Sequence, residues 1–230
     1  MKIRLLLLIC FSSYSQLFSI GGFGLNLNQG IYSVPETSDD LIVLDQDVGN
    51  IVHHGLNNGY GLGGYLYVDA LPFVDIDLEA ILHFSEYEYS FQNQVMEINN
   101  KSLAWADFAF YGTLNKKIMK LSIPFIAKAK FSAGFGLNNH TSTPMINQSM
   151  FEAVLGGPDN LSDGELDVDE FSEYLKDNAI SSAGFHLQTG IQFKLLMLDS
   201  FIFYRHVFVD DLLTDITNFG SINLRLGMGF

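Results

Sequence analysis

Residues Gly220 to Phe230 read GSINLRLGMGF, with Ile222, Leu224, Leu226, Met228 and Phe230 at every second position. Ser221, Asn223, Arg225, Gly227 and Gly229 fill the gaps. In an extended strand successive side chains point to opposite faces, so this segment has one face suited to hydrocarbon and one that is not. A fold that contains it must supply an apolar medium on one side and a polar one on the other. The same period of two recurs along the chain and defines its other strands.

The first nineteen residues stand apart. Lys2 and Arg4 precede an apolar run from Leu5 to Phe11, and small residues follow at Ser13, Ser15 and Ser19. That order is the build of a secretory signal peptide, with cleavage expected after Ser15 or Ser19, leaving residues 20–230 as one mature domain. Seven apolar residues are too few to span a bilayer as a helix, which needs about 20. Cys10, the only cysteine, leaves with the signal, so neither a disulfide nor thiol chemistry is expected. The chain carries 26 acids against 12 bases, and loss of Lys2 and Arg4 moves its formal charge from −14 to −16. Such a chain repels phosphate backbones, which excludes nucleic acid as a partner.

Eight alternating segments follow. Gly21–Ile31 sets Phe23, Leu25 and Leu27 against glycines and asparagines, and Gly59–Leu71 sets Leu62, Leu66 and Val68 against Tyr65, Tyr67 and Asp69. Phe73–Tyr89 is the clearest: Val74, Ile76, Leu78, Leu82 and Phe84 oppose Asp75, Asp77, Glu79, His83 and Ser85. Leu103–Thr113, Lys120–Leu137 and Ala179–Leu196 continue the pattern, the last with His186, Gln188 and Lys194 on its polar side. Ser200–Val209 is ambiguous in register, because Phe201, Phe203 and Val207 share a face with Arg205; a bulge, at no assignable position, would resolve it. Gly220–Phe230 closes the set.

The connections have a consistent asymmetry. Tight reversals are expected at Pro72, at Asn115-Lys116-Lys117 and at Met197-Leu198-Asp199, whereas Ser33–Asn58, Ser90–Ser102, Asn138–Asn178 and Asp210–Asn218 are long and polar. All long connections therefore fall at one end. The reading is all-β: an eight-stranded antiparallel up-and-down transmembrane β-barrel with short periplasmic turns and long extracellular loops. A terminal strand ending on an aromatic, Phe230, resembles the assembly signal of outer-membrane barrels, and the mature chain resembles the small OmpA-barrel, OmpX and OmpW kind in architecture. That resemblance implies a monomer in the outer membrane of a diderm bacterium, with outer-membrane lipid and the assembly machinery as its partners.

The polar faces then fill a narrow lumen. Asp69, Asp75, Asp77, Glu79 and Asp107 are expected to face Lys128, Lys130, Lys194, Arg225 and Arg205, with His186 among them, because buried charges must be paired. A packed network of this kind implies a non-enzymatic protein with a structural or surface-contact role played through its acidic loops. A narrow OmpW-like conduit for small or apolar solutes is the alternative. His83-Phe84-Ser85 with Glu97 also has the residue types of a lipid A-modifying hydrolase, although the alternation turns His83 and Ser85 away from lipid.

The stretch Asp159-Asn-Leu-Ser-Asp163-Gly164-Glu165-Leu166-Asp167-Val-Asp169-Glu170 approaches an EF-hand loop, with Leu161 where a ligand oxygen is expected. Asp159, Asp163, Glu165, Asp167 and Glu170 are its candidate ligands. No cofactor is expected beyond weakly held calcium. FSEYLKDN, immediately after it, reads as a helix.

Overall fold

The structure, a computed structural model, describes residues 21–43, 46–69, 74–92, 97–123, 127–147, 149–150 and 168–230. The expected signal peptide lies outside them. In chain order the strands are β1 (Gly21–Ile31), β2 (Ser33–Val34), β3 (Thr37–Val43), β4 (Gln46–Asn57), β5 (Tyr60–Val68) and β6 (Asp75–Gln92). They continue with β7 (Glu97–Ile123), β8 (Ala127–Ser142), β9 (Ile180–Leu195), β10 (Leu198–Leu213) and β11 (Ile216–Gly229). A helix, α1 (Val168–Asp177), precedes β9.

Eight of these strands form a closed antiparallel ring. β1 pairs with β5 on one side and β11 on the other, and β5 through β11 pair in sequence order. Closure sets Leu25 opposite Leu226 and Asn26 opposite Arg225. Backbone bonds between Gly21 and Phe230, at 3.2 and 2.9 Å, continue the seam past the end of β11. A ring has no free edge, so every barrel strand meets a partner on both sides.

The outer wall carries the apolar half of each alternation. Leu25, Leu62, Phe84, Phe108, Phe135 and Leu226 are exposed, whereas Asp77, Glu79, Asp107, Arg205 and Arg225 are buried. This inverts the usual arrangement of a water-soluble domain. No helix among the described residues is long and apolar enough to cross a membrane.

Three segments depart from the sequence expectation. Asn115-Lys116-Lys117 is no turn: β7 runs on to Ile123, with a register shift between Lys117 and Met119. Lysines inside a strand are stable there because Lys117 points inward to two carboxylates while Lys116 is exposed. The turn expected at Met197-Leu198-Asp199 falls at Leu196-Met197, and Asp199 is fully buried on β10. Nor does 200–209 need a bulge, since β10 pairs without interruption with β9 from Leu198 to Val209; its register with β11 shifts only after Phe208. Phe201, Phe203, Arg205 and Val207 all face the interior, where the two phenyl rings lie against an arginine.

The long connections are also more ordered than their polarity implies. β3 pairs with β4, and β4 pairs with the far end of β6, which extends the wall at the long-loop end. Ile51 and Leu56 of β4 are buried with Tyr87, Trp105, Val207 and Phe219 in an apolar cluster. Phe171, Tyr174 and Leu175 of α1 pack against the same cluster. The last connection shortens to a turn at Thr214-Asp215, because β10 and β11 continue past the expected loop.

Candidate functional site

The lumen is filled by three tiers of polar contacts. The middle tier centres on Glu79 of β6, which is 2 % exposed. Arg205 of β10 donates to it at 2.6 Å, and Arg225 of β11 donates through Nε at 2.6 Å. Arg225 also reaches Asp77 at 2.8 Å, so two guanidiniums meet two carboxylates. Each guanidinium has an aromatic face as well: Arg205 lies 3.8 Å from the Tyr111 ring centre, and Arg225 lies 4.6 Å from Phe203 and 4.9 Å from Tyr65. Such stacking supplies attraction where water is excluded. Gln188 accepts from Arg205 and donates to Asn115 at 3.1 Å, which carries the tier to β9 and β7.

Toward the short-turn end, Asp69 holds both Lys117 and Lys130, and Lys117 also lies 3.0 Å from Asp75. Asp199 accepts from Tyr67 at 2.5 Å and from Gln192 at 3.1 Å, with Lys194 at 3.7 Å. Lys128, expected in the network, is inward on β8 but has no carboxylate at ion-pair distance among the described residues. A cavity of about 30 Å³ between the lower and middle tiers is lined by Asp75, Asp77, Lys130, Gln188 and Arg225. That is room for one or two waters.

Toward the long-loop end, Asp107 sits between His83 and His140, whose Nδ1 atoms lie 3.0 and 2.8 Å from the same carboxylate oxygen. His186 meets Thr113 at 2.8 Å and the edge of Tyr111. Two glycines make these histidines fit. A Cβ at Gly61 would come within 2.6 Å of His83, and one at Gly136 within 2.5 Å of His186. Ser85 donates to the Asn58 carbonyl at 3.1 Å. His83 thus turns to Asp107 and Ser85 to the backbone, an arrangement with no serine–histidine relay.

Above this tier a cavity of about 1220 Å³ opens among the long connections. Asp39, Asp210, Asp211 and Asp215 line it, with His53, Trp105 and Ile146. The neighbouring His54 takes the opposite side of β4, where it meets Glu36 at 3.3 Å and Ser90 at 2.7 Å. No group of metal-ligating side chains occurs among the described residues. Of the candidate calcium ligands, Asp159, Asp163, Glu165 and Asp167 lie outside the described residues, and Glu170 falls in the first turn of α1.

The alternation had identified Asp75, Asp77, Glu79, Asp107, Lys130, His186, Lys194 and Arg225 as inward, and the structure sets each within the lumen. Lys117, Asp199 and the aromatic partners of the arginines were not anticipated. The available signal was the unbroken odd-numbered series from Asp199 to Val207, which the charge of Arg205 obscured.

No family model matches the sequence, and no curated protein shows significant similarity to it. Among solved structures, the outer membrane protein OprG from Pseudomonas aeruginosa is similar at a TM-score of 0.46 and 9% identity, covering 91% of this chain and 92% of that one. The N-terminal β-barrel domain of OprF from Pseudomonas aeruginosa gives 0.37 at 8% identity, covering 91% and 99%. Ail, the attachment invasion locus protein of Yersinia pestis, gives 0.33 at 11%, covering 91% and 97%. These likenesses are distant, and the barrel is established by its own hydrogen-bonded ring.

Proposed function

We propose that the chain is an outer-membrane barrel whose filled lumen makes it a scaffold, with its role exercised at the long-loop end rather than through a pore. One observation carries this reading: the Glu79, Arg205 and Arg225 side chains are each at most 1% exposed and meet at the centre of a ring whose outside is apolar. In hydrocarbon a spanning sheet must close on itself, and this one does. A lumen crossed by a balanced and desolvated ionic tier offers ions no continuous water path. The inverted, apolar exterior supports outer-membrane lipid as the surrounding partner.

The long-loop end supplies the contact surface. Its apolar cluster fixes β4, α1 and the strand extensions as one platform, and the acidic cavity opens within that platform. Cationic or hydrogen-bond-donating groups suit such a surface better than anionic ones. Calcium, if the 159–170 stretch holds it, adds to the same acidic end. Two measurements test the reading together: heat-modifiable migration of the outer-membrane fraction on a gel, and conductance in planar bilayers. A folded form that shifts on boiling and gives no discrete openings is expected; recovery in the soluble periplasmic fraction contradicts the membrane reading.

A further inference from the structure

Six of the nine lysines of this acidic chain are gathered at one place. Lys116, Lys117, Lys120, Lys128, Lys130 and Lys194 all lie at the short-turn ends of the adjacent strands β7, β8 and β9. Register puts most of them on one face. Lys130 is buried inward, Lys120 is its direct partner across β7–β8, Lys128 is two residues from it, and Lys194 is the direct partner of Lys128 across β8–β9. Directly opposed residues of an antiparallel pair share a face with Cβ atoms about 5 Å apart, so Lys120–Lys130 and Lys128–Lys194 are like charges in contact range.

The carboxylates at this end do not balance them. Asp69 and Asp75 hold Lys117 and Lys130, and Asp199 holds Lys194. Lys120 and Lys128 have no carboxylate at ion-pair distance among the described residues, and residues 70–73, 124–126 and 196–197 contain no Asp or Glu. At the same rim, bordered by Lys128 and Lys194 but opening on the outer wall, lies a cleft of about 370 Å³ walled by the exposed Leu121, Ile123, Phe193 and Leu198.

We infer that this mouth binds a phosphate-bearing ligand, with its anionic group between Lys120, Lys128 and Lys194 and with the apolar cleft beside it suited to an acyl chain. A phosphate bridging two ammonium groups converts repulsion across each strand pair into attraction. The cleft favours an anionic phospholipid headgroup as the source, which rests on the membrane reading above; free phosphate has the same chemistry.

The test uses the full folded chain in a maltoside detergent. Its unfolding midpoint is followed while sodium phosphate, or short-chain phosphatidylglycerol, replaces chloride at constant ionic strength. The midpoint should rise and saturate in at least one arm. That increment should vanish in K120Q/K128Q, a double variant whose own starting midpoint is no lower, and should be retained in K120R/K128R. A saturable response to phosphatidylglycerol alone assigns the site to a lipid headgroup, and a response to both assigns it to phosphate in general. Equal midpoints in phosphate, phosphatidylglycerol and chloride, or an increment that survives in K120Q/K128Q, would overturn the site while heat-modifiable migration leaves the barrel standing. Were the chain soluble without detergent, the membrane reading would fail instead, and the free-phosphate arm would still decide the site.

Discussion

Glu79 is the residue on which the lumen depends, because two guanidiniums share its carboxylate and neither reaches water. Removing one member of a buried ionic group leaves charge unpaired in a dry site, at a cost of about 3–5 kcal/mol. Glu79→Gln should therefore lower the unfolding free energy of the folded barrel by that order in a urea titration, whereas Glu86→Gln, on the exposed face of the same strand, should change it by less than about 0.5 kcal/mol. Equal effects would contradict the central role of Glu79. The inward direction of Glu79, Asp77 and Arg225 was legible in the sequence, because a period of two assigns a face. That Arg225 would meet acids of this strand was legible too; which acid each guanidinium reaches was not, because height in a barrel depends on the stagger between strands, which alternation does not encode. Lys128 illustrates the same limit: its face is as expected, but its level leaves it beside Lys194 instead of a carboxylate.

At the scale of elements, β11 separates its two faces most clearly. Leu226 is 49% exposed, opposite Leu25 and Ser200, four residues from the short-turn end. At about 3.4 Å per residue and a tilt near 40°, it stands about 10 Å above that end, near the middle of an apolar band about 25 Å tall. Leu226→Arg should then cost about 2–4 kcal/mol in lipid vesicles; a neutral result would remove this face from the bilayer. β7 shows where element boundaries were illegible. Asn115 and Lys117 face the polar interior and Lys116 is exposed, so three consecutive polar residues have the composition of a turn while the backbone stays paired through Ile123.

The arm of β2–β4 supplies a pH dependence. Burial pushes the His53 imidazole below the usual histidine range, with Asp39 opposing the shift in part. The unfolded arm takes up a proton near pH 6.5 and the folded arm resists it, so stability present at neutral pH is lost as pH falls below that value. Amide protection across β3 and β4, corrected for intrinsic exchange, should fall between about pH 7 and pH 5, and His53→Gln should flatten that profile. Protection that rises on acidification contradicts the assignment.

Over the whole molecule, charge is sorted along the barrel axis. Lysines collect at the short-turn end, carboxylates line the cavity at the other, and the balanced arginine tier lies between them. On the proposed readings, this gradient suits anionic groups at one end and cationic or donor groups at the other. Strand number, antiparallel order and the asymmetry of the connections were readable from the repeated alternation, because each barrel strand must present one face to hydrocarbon. The apolar cluster under the long connections was not readable, since Ile51, Leu56 and Trp105 are scattered among polar residues and converge only through the pairing of β4 with β6.

The filled lumen is the claim on which the functional reading rests, and single-channel recording in planar bilayers addresses it most directly. The purified barrel should insert and give no discrete current steps above the bare bilayer. Reproducible openings from the unaltered protein, of a size that scales with salt, would show a water path through the Glu79–Arg205–Arg225 tier and contradict the account.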